Sequence, residues 1–306
     1  MTATPPILFD RDLHRRRLDR AAAGYDQAAF LKRRAAEDAV QRLEAIMRRF
    51  PVAVDLGARN GAFAAALADS DAAGKIDLLV ETDLSTAMLT GRAGPRLVAD
   101  EERLPFAAAS LDLVVSTLAL HWTNDLVGAL IQIRRALKPD GLFIGALLGG
   151  ATLTELRQSL LEAEAELSGG AGLRVSPFAD AFDAAALLQR AGFALPVTDV
   201  DRVTVRYANP LELLRDLRAM GEGNVLLDRP RKPLRRAVLL RAMDIYQARF
   251  AQADGRVPAT FEIVTITGWA PHESQQKPLK PGSAKMRLAD ALGTVEKSAG
   301  EKPGEA

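Results

Sequence analysis

The sequence predicts an α/β fold in which a doubly wound, mostly parallel sheet carries helices on both faces. Three observations lead there. Residues 52–56 form a short β-branched apolar run that ends in Asp55 and opens into Gly57-Ala58-Arg59-Asn60-Gly61, followed by an alanine-rich amphipathic stretch. This order reads as strand, tight loop and helix start. About 20 residues on, where the second strand of a nucleotide-binding βαβ unit ends, residues 76–83 give another apolar strand closing on Glu81 and Asp83. Finally, strand-like and helix-like stretches alternate along residues 52–148, the pattern of parallel strands joined by right-handed crossovers.

Each element follows from local chemistry. Residues 9–49 are helix-rich with a break at Gly24, and Phe30, Leu31, Val40, Leu43, Ile46 and Met47 recur at roughly helical spacing. Arg15-Arg16-Arg17 reads as a solvated helix face, and Tyr25 as a packing residue. After the glycine loop come a helix over 62–69, the strand over 76–82, and a second helix over 86–91 with Ser85 as N-cap. A short strand over 96–99 runs into Asp100-Glu101-Glu102. Residues 110–118 are almost uninterruptedly apolar, as in a strand buried on both faces. They lead into His121-Trp122 and a helix over 125–137, stopped by Lys138-Pro139-Asp140-Gly141, before a fifth strand over 142–148.

Beyond residue 150 the character changes. Helices are expected at 152–167, 183–191, 210–220 and 233–252, with alternating strands at 197–207 and 260–269. The basic residues Arg229, Arg231, Lys232, Arg235 and Arg236 read as a solvated face. The expected organisation is an N-terminal helical lid (1–50), a Rossmann-like core (51–150), helical cap insertions with the last two strands (151–274) and a disordered tail (275–306).

Composition narrows the function classes. Lys plus Arg (40) balance Asp plus Glu (39), which argues against a nucleic-acid binder. The absence of cysteine excludes thiolate metal sites and cysteine nucleophiles, leaving His14, His121 and His272 for imidazole chemistry. No apolar run is long enough to span a membrane, and no secretory signal is recognisable, so a cytoplasmic protein is expected.

In open α/β sheets the ligand lies beyond the carboxyl ends of the strands. Here those ends carry acids in succession without a basic phosphate grip, which favours a nucleoside with a cationic or zwitterionic end. S-adenosylmethionine (SAM) has that form. Asp83 would take the ribose hydroxyls, Asp100 the adenine amino group, and the Gly57–Gly61 backbone the methionine portion, with Asp55 orienting the loop. Leu84, Glu101 and Ser116 complete the expected cofactor contacts. His121 would face the substrate as a base, if one is needed, and Trp122 would form an apolar or cation-stacking wall. In the alternative, both are structural.

The segments VDLGARNGAF, ETDLSTAML, ADEERLPF, SLDLVVSTLALHW and LKPDGLFIGAL resemble the successive motifs of class I SAM-dependent methyltransferases. Further segments, FDRDLHRRRLDRAA, SPFADAFDAAALLQRAGF, MGEGN and VPATFEIVTITGWAPHESQ, resemble the family of mitochondrial respiratory complex I assembly factor 5, over about residues 9–284. The resemblance implies a seven-stranded methyltransferase fold with helical insertions, SAM as cofactor, and a protein substrate such as a complex I subunit. It leaves open whether the reaction is methyl transfer, arginine hydroxylation or a chaperone role. One position departs from the pattern: Arg59 stands where the family has glycine. The expectation is that SAM still binds, with Arg59 turned away or paired with the methionine carboxylate.

Overall fold

The computed structural model describes residues 7–178, 181–276, 283 and 286–295. The chain divides into two compact units, Met1–Pro271 and His272–Ala306, and the sheet lies in the first. The chain enters through α1 (Arg11–Ala21), whose N-cap Asp10 accepts a hydrogen bond from Leu13 N at 2.9 Å. A 3-10 turn around Gly24 leads to α2 (Tyr25–Ala28) and α3 (Phe30–Ala45). One face of α3 buries Ala36, Ala39, Val40 and Leu43 with Phe63, Leu113 and Ile144. Burying each such leucine contributes about 1.5–3 kcal/mol.

The strands are β1 (Val52–Leu56), β2 (Leu78–Asp83), β3 (Arg96–Val98), β4 (Leu111–Thr117), β5 (Leu137–Leu148), β6 (Ala194–Tyr207) and β7 (Val257–Trp269), in the order β3-β2-β1-β4-β5-β7-β6. Only β7 runs against the rest, pairing antiparallel with both β5 and β6. The order reverses between β1 and β4. Register brings the carboxyl ends together there, with Leu56 opposite Thr82 and Asp83 opposite Val98. As the apolar run predicts, β4 is buried along its whole length.

Between the strands run α4 (Ala62–Ala68), α5 (Thr86–Leu89) and α6 (Leu126–Ala136). Ser85 caps α5 by accepting from Met88 N, as expected. At Lys138-Pro139-Asp140-Gly141 the helix stops as expected, but the fifth strand, expected from residue 142, already begins at Leu137. This segment is absorbed into β5 as a bulge: the partner of Leu111 is Leu137, but that of Leu113 is Leu142. The bulge persists because its backbone finds partners beyond β7, with Asp140 N donating to Ala270 O and Ala270 N to Gly141 O.

The second half adds α7 (Thr154–Ser168), α8 (Ala181–Arg190), α9 (Pro210–Ala219) and α10 (Arg236–Phe250). Asn209 caps α9 through its side-chain oxygen, and Pro210 opens it. Helices α7, α9 and α10 share a core with the N-terminal helices and β7, built from Leu31, Leu156, Leu213, Tyr246 and Phe261 among others. In the second unit, α11 (Leu288–Leu292) falls within the expected tail, whose positions 277–282, 284–285 and 296–306 lie outside the described residues. No helix among the described residues is long and apolar enough to cross a membrane.

Candidate cofactor and substrate site

The β1–α4 loop sits at the topological switch point and is held on three sides. Gly57 N and Ala58 N donate to Thr82 O at 2.9 and 2.8 Å, tying it to β2. Lys32 on α3 donates to Gly57 O at 2.6 Å and Thr117 O at 2.5 Å, tying it to the end of β4. Arg92 bonds Asn60 O and Glu81 beyond the far side. Gly57 has φ +76°, and a Cβ there would collide with the Cβ of Ala119, so glycine is required.

Arg59 is the unusual member. It takes the left-handed conformation at φ +53° and is fully buried. Its backbone N and its Nη1 both donate to Asp83 Oδ2, at 2.9 and 2.8 Å, and Nη1 lies 4.0 Å from Glu101 Oε1. Burial works against the guanidinium charge, but Asp83 and Glu101 outweigh it and hold the group above its ordinary range. Arg59 is thus paired with Asp83, a partner that the expectation for this residue did not name. Asp83 lies within reach of both its backbone and its side chain, and a buried cation must take such a partner.

The other expected cofactor residues gather around this pair. The second oxygen of Asp83 accepts from Ser85 N at 2.8 Å. Asp100 and Glu101 both take Arg11 of α1, the former at 2.7 Å, so the N-terminal helix covers the end of β3. Arg11 is held above its ordinary range by these two carboxylates against burial. Asp55 is buried, and neither carboxylate oxygen has a hydrogen-bond partner. Burial pushes it up to about 6, with the Lys32 charge pulling the other way, while burial pulls Lys32 down to about 8. Leu84 is buried next to Asp83. Ser116 is buried and donates to Leu56 O at 2.8 Å, which ties β4 to β1.

His121 and Trp122 form a 3-10 turn after β4. Trp122 is buried in a ring cluster, edge-on to Phe9 at 5.4 Å and to His14 at 5.2 Å. Its indole Nε1 donates to Glu222 Oε2 at 2.6 Å, and His121 Nε2 lies 3.4 Å from the same oxygen. Glu222 and Trp122 line a cavity of about 930 Å³ between α1, α7, α9 and the segments at 174–178 and 221–224. Its walls are apolar (Leu153, Leu156, Leu160, Leu217), while Arg17, Arg20, Arg215 and Arg218 also line it. Glu222 further lines a small adjoining cavity with Lys32 and His121, so it stands between the substrate-sized space and the glycine loop.

Several of these residues carried no role in the sequence reading. Arg11 and His14 lie one turn apart on α1, a spacing visible in the sequence. His14 is buried, both its ring nitrogens lack partners, and burial with Arg59 and Arg11 lowers it well below its ordinary value, so it is neutral. Glu222 lies in the MGEGN segment. Arg17 read as part of a solvated helix face, yet it lines the cavity, and Lys32, which carried no reading, is buried.

The residues fit SAM. Asp55, His14 and Thr117 all have buried polar atoms without partners near the loop, the loop has the required glycines at Gly57 and Gly61, and acids stand at the ends of β2 and β3. Arg59 occupies Asp83 Oδ2, whereas Oδ1 accepts only from Ser85 N and keeps capacity for a further donor. Among the described residues, no group of three or more His, Asp or Glu side chains is arranged to hold a metal ion.

Fold, loop and strand-end acids define a class I SAM-dependent methyltransferase-fold protein. Residues 54–145 match the model of a methyltransferase domain. A solved structure from Bacillus halodurans described as a methyltransferase superimposes with a TM-score of 0.52 at 15% identity, covering 77% of this chain and 99% of its own. The malonyl-[acyl-carrier protein] O-methyltransferase of Halorhodospira halophila is 35% identical over 286 residues, covering 91% of this chain and 94% of that protein. The arginine-hydroxylase NDUFAF5, mitochondrial, of Homo sapiens is 42% identical over 292 residues, 94% of this chain and 84% of that protein. The chain belongs to the NDUFAF5 family.

Proposed function

We propose that this chain is a SAM-dependent enzyme that acts in the cytoplasm on a protein substrate, an arginine-bearing segment of a respiratory complex I subunit during assembly. The observation that carries this reading is Glu222. Trp122 and His121 hold its carboxylate at the inner end of a cavity large enough for a side chain and its neighbours. A largely desolvated carboxylate with hydrogen-bonding capacity to spare is a receptor for a guanidinium, and arginine is the residue in the name of the relative at 42% identity.

Asp83, Asp100 and the Gly57–Gly61 backbone would hold SAM. When bound, it supplies a sulfonium-activated methyl group: a nitrogen–carbon bond forms as the carbon–sulfur bond breaks, and the electron pair stays on sulfur. Glu222 orients the substrate nitrogen and takes up the proton it loses. Trp122 fixes the rotamer of Glu222, and the ring cluster of Phe9, His14, Trp122 and Phe178 keeps water from the inner end. A second reading is supported by the name of that same relative. Oxygen insertion would convert a C–H bond of the bound arginine to C–OH, with dioxygen and two protons consumed, water released, and two electrons supplied by an external reductant such as a reduced nicotinamide or flavin carrier.

Intact-mass analysis of complex I subunits from cells with and without this gene tests both readings. A gene-dependent gain of one CH2 supports methyl transfer, and a gain of one oxygen supports hydroxylation. No gene-dependent mass change on any subunit overturns the enzyme reading.

A further inference from the structure

The cavity beside Glu222 has an order of charge from bottom to mouth. At the inner end stands the Glu222 carboxylate. The middle is apolar, formed by leucines of α7 and α9. The mouth carries the exposed Arg20 from α1 and Arg215 and Arg218 from α9, while the half-buried Arg17 reaches further in, its Nη1 beside Gly223. Among the described residues none of these four pairs with a carboxylate within 4 Å, and the Nη1 of Arg17 is buried without a partner. Arg174, the fifth arginine of the lining, is already held by Glu164 at 2.6 Å.

We infer that this cavity receives a basic side chain presented by an acidic protein segment: the cationic tip meets Glu222, the aliphatic stem lies along the leucines, and flanking carboxylates meet the three exposed arginines. This rests on the reading that the cavity takes a protein side chain and adds which sequence context it selects. The complementary order separates a peptide from an anionic amphiphile. A fatty acid would place its head on the arginines but press an apolar tail against the Glu222 carboxylate, removing water from a charged group that Trp122 and His121 satisfy on one oxygen only, which is unfavourable. A peptide with a central base and flanking acids satisfies all three zones. The unpaired arginines would also speed encounter with an acidic segment.

Fluorescence anisotropy on the full chain tests the inference. The probes are three labelled peptides, each with leucines beside the central residue: arginine flanked by aspartates, arginine flanked by asparagines, and citrulline flanked by aspartates. The aspartate-flanked arginine peptide is expected to bind roughly tenfold tighter than the asparagine one at low salt, an advantage that shrinks as salt screens exposed charges. The double substitution Arg215→Glu with Arg218→Glu, checked for folding by circular dichroism, should remove that advantage without weakening the asparagine peptide. Citrulline should weaken binding to the native chain but not to Glu222→Gln. Equal binding of the two arginine peptides overturns the acidic context while leaving the proposed arginine substrate intact. Loss of preference for arginine over citrulline, failure of all three peptides to bind, or displacement of the peptides by laurate overturns the inference outright.

Discussion

Replacing Arg59 with glycine separates two opposite effects of one side chain. The left-handed conformation at φ +53° costs a residue bearing a Cβ about 1–2 kcal/mol, and glycine adopts it freely. Against this, the substitution removes one partner of a fully buried ion pair with Asp83, a loss of about 3–5 kcal/mol. The ligand-free variant should therefore be less stable by about 1–4 kcal/mol, a fall in Tm of roughly 2–4 °C per kcal/mol. Cofactor affinity should move the other way. In the native chain the ribose hydroxyls must compete with a guanidinium for Asp83 Oδ2, whereas in the glycine variant that oxygen keeps only its bond from the backbone N of residue 59. Recovering about 1.4–2.8 kcal/mol of this competition tightens SAM tenfold to a hundredfold. Isothermal titration calorimetry with SAM on both proteins, beside thermal melts with and without SAM, reads both signs. If Arg59→Gly is folded yet binds SAM no more tightly than the native chain, the Asp83 pair is no obstacle and Arg59 is itself part of the cofactor site.

Gly57→Ala should cost about 2–4 kcal/mol, from the positive φ and the overlap with Ala119, and should abolish SAM binding; denaturant melts and calorimetry check it. For Asp55 the carboxyl is raised in the folded chain from 3.8 to about 6. It therefore contributes stability below about pH 4 that is lost as pH rises through 6. Asp55→Asn should flatten the Tm profile over that window, measured by scanning fluorimetry at closely spaced pH values. Glu222→Gln keeps an acceptor for Trp122 Nε1 but removes the charge, so the melt should hold while kcat/KM on the protein substrate falls by about 10²–10⁴-fold.

The fold was legible because its signals are local and periodic. The apolar β4, the Ser85 cap and the loop at Gly57 each announce themselves within a dozen residues. The segment 138–141 stops the helix as expected, but the fifth strand begins at Leu137 rather than 142, because the absorption of Pro-Asp-Gly into β5 depends on Ala270, far along the chain. The strand ends were legible, and with them the positions of Asp55, Asp83 and Asp100 beside the switch point. Glu222 was not, because an acid between two glycines acquires a role only when Trp122, a hundred positions away, donates to it. Lys32 hid similarly, since a lysine on a helix reads as solvated until the carbonyls of Gly57 and Thr117 arrive from elsewhere. Arg59 was visible as an anomaly, but its partner was not, because choosing between solvent, cofactor and Asp83 requires the burial that only the packed chain supplies.

Helix α1 links the two halves of the site. Its Arg11 holds Asp100 and Glu101 at the loop end, its His14 meets Trp122 edge-on in the middle, and its Arg17 and Arg20 line the cavity. These side chains share one continuous helix of 11 residues, so Arg11 cannot leave the acids by a shift of the whole helix without also moving the wall of the cavity. Glu101 meanwhile lies within 4.0 Å of the Arg59 guanidinium, so the two arginines covering the strand-end acids meet at a single carboxylate. Arg59, Glu101 and Arg11 thus form a continuous charged contact, which α1 extends to the arginines lining the cavity. The arginine in the glycine loop, which in isolation looks like damage to a cofactor motif, is thus one end of a charged chain running from the loop to the substrate cavity.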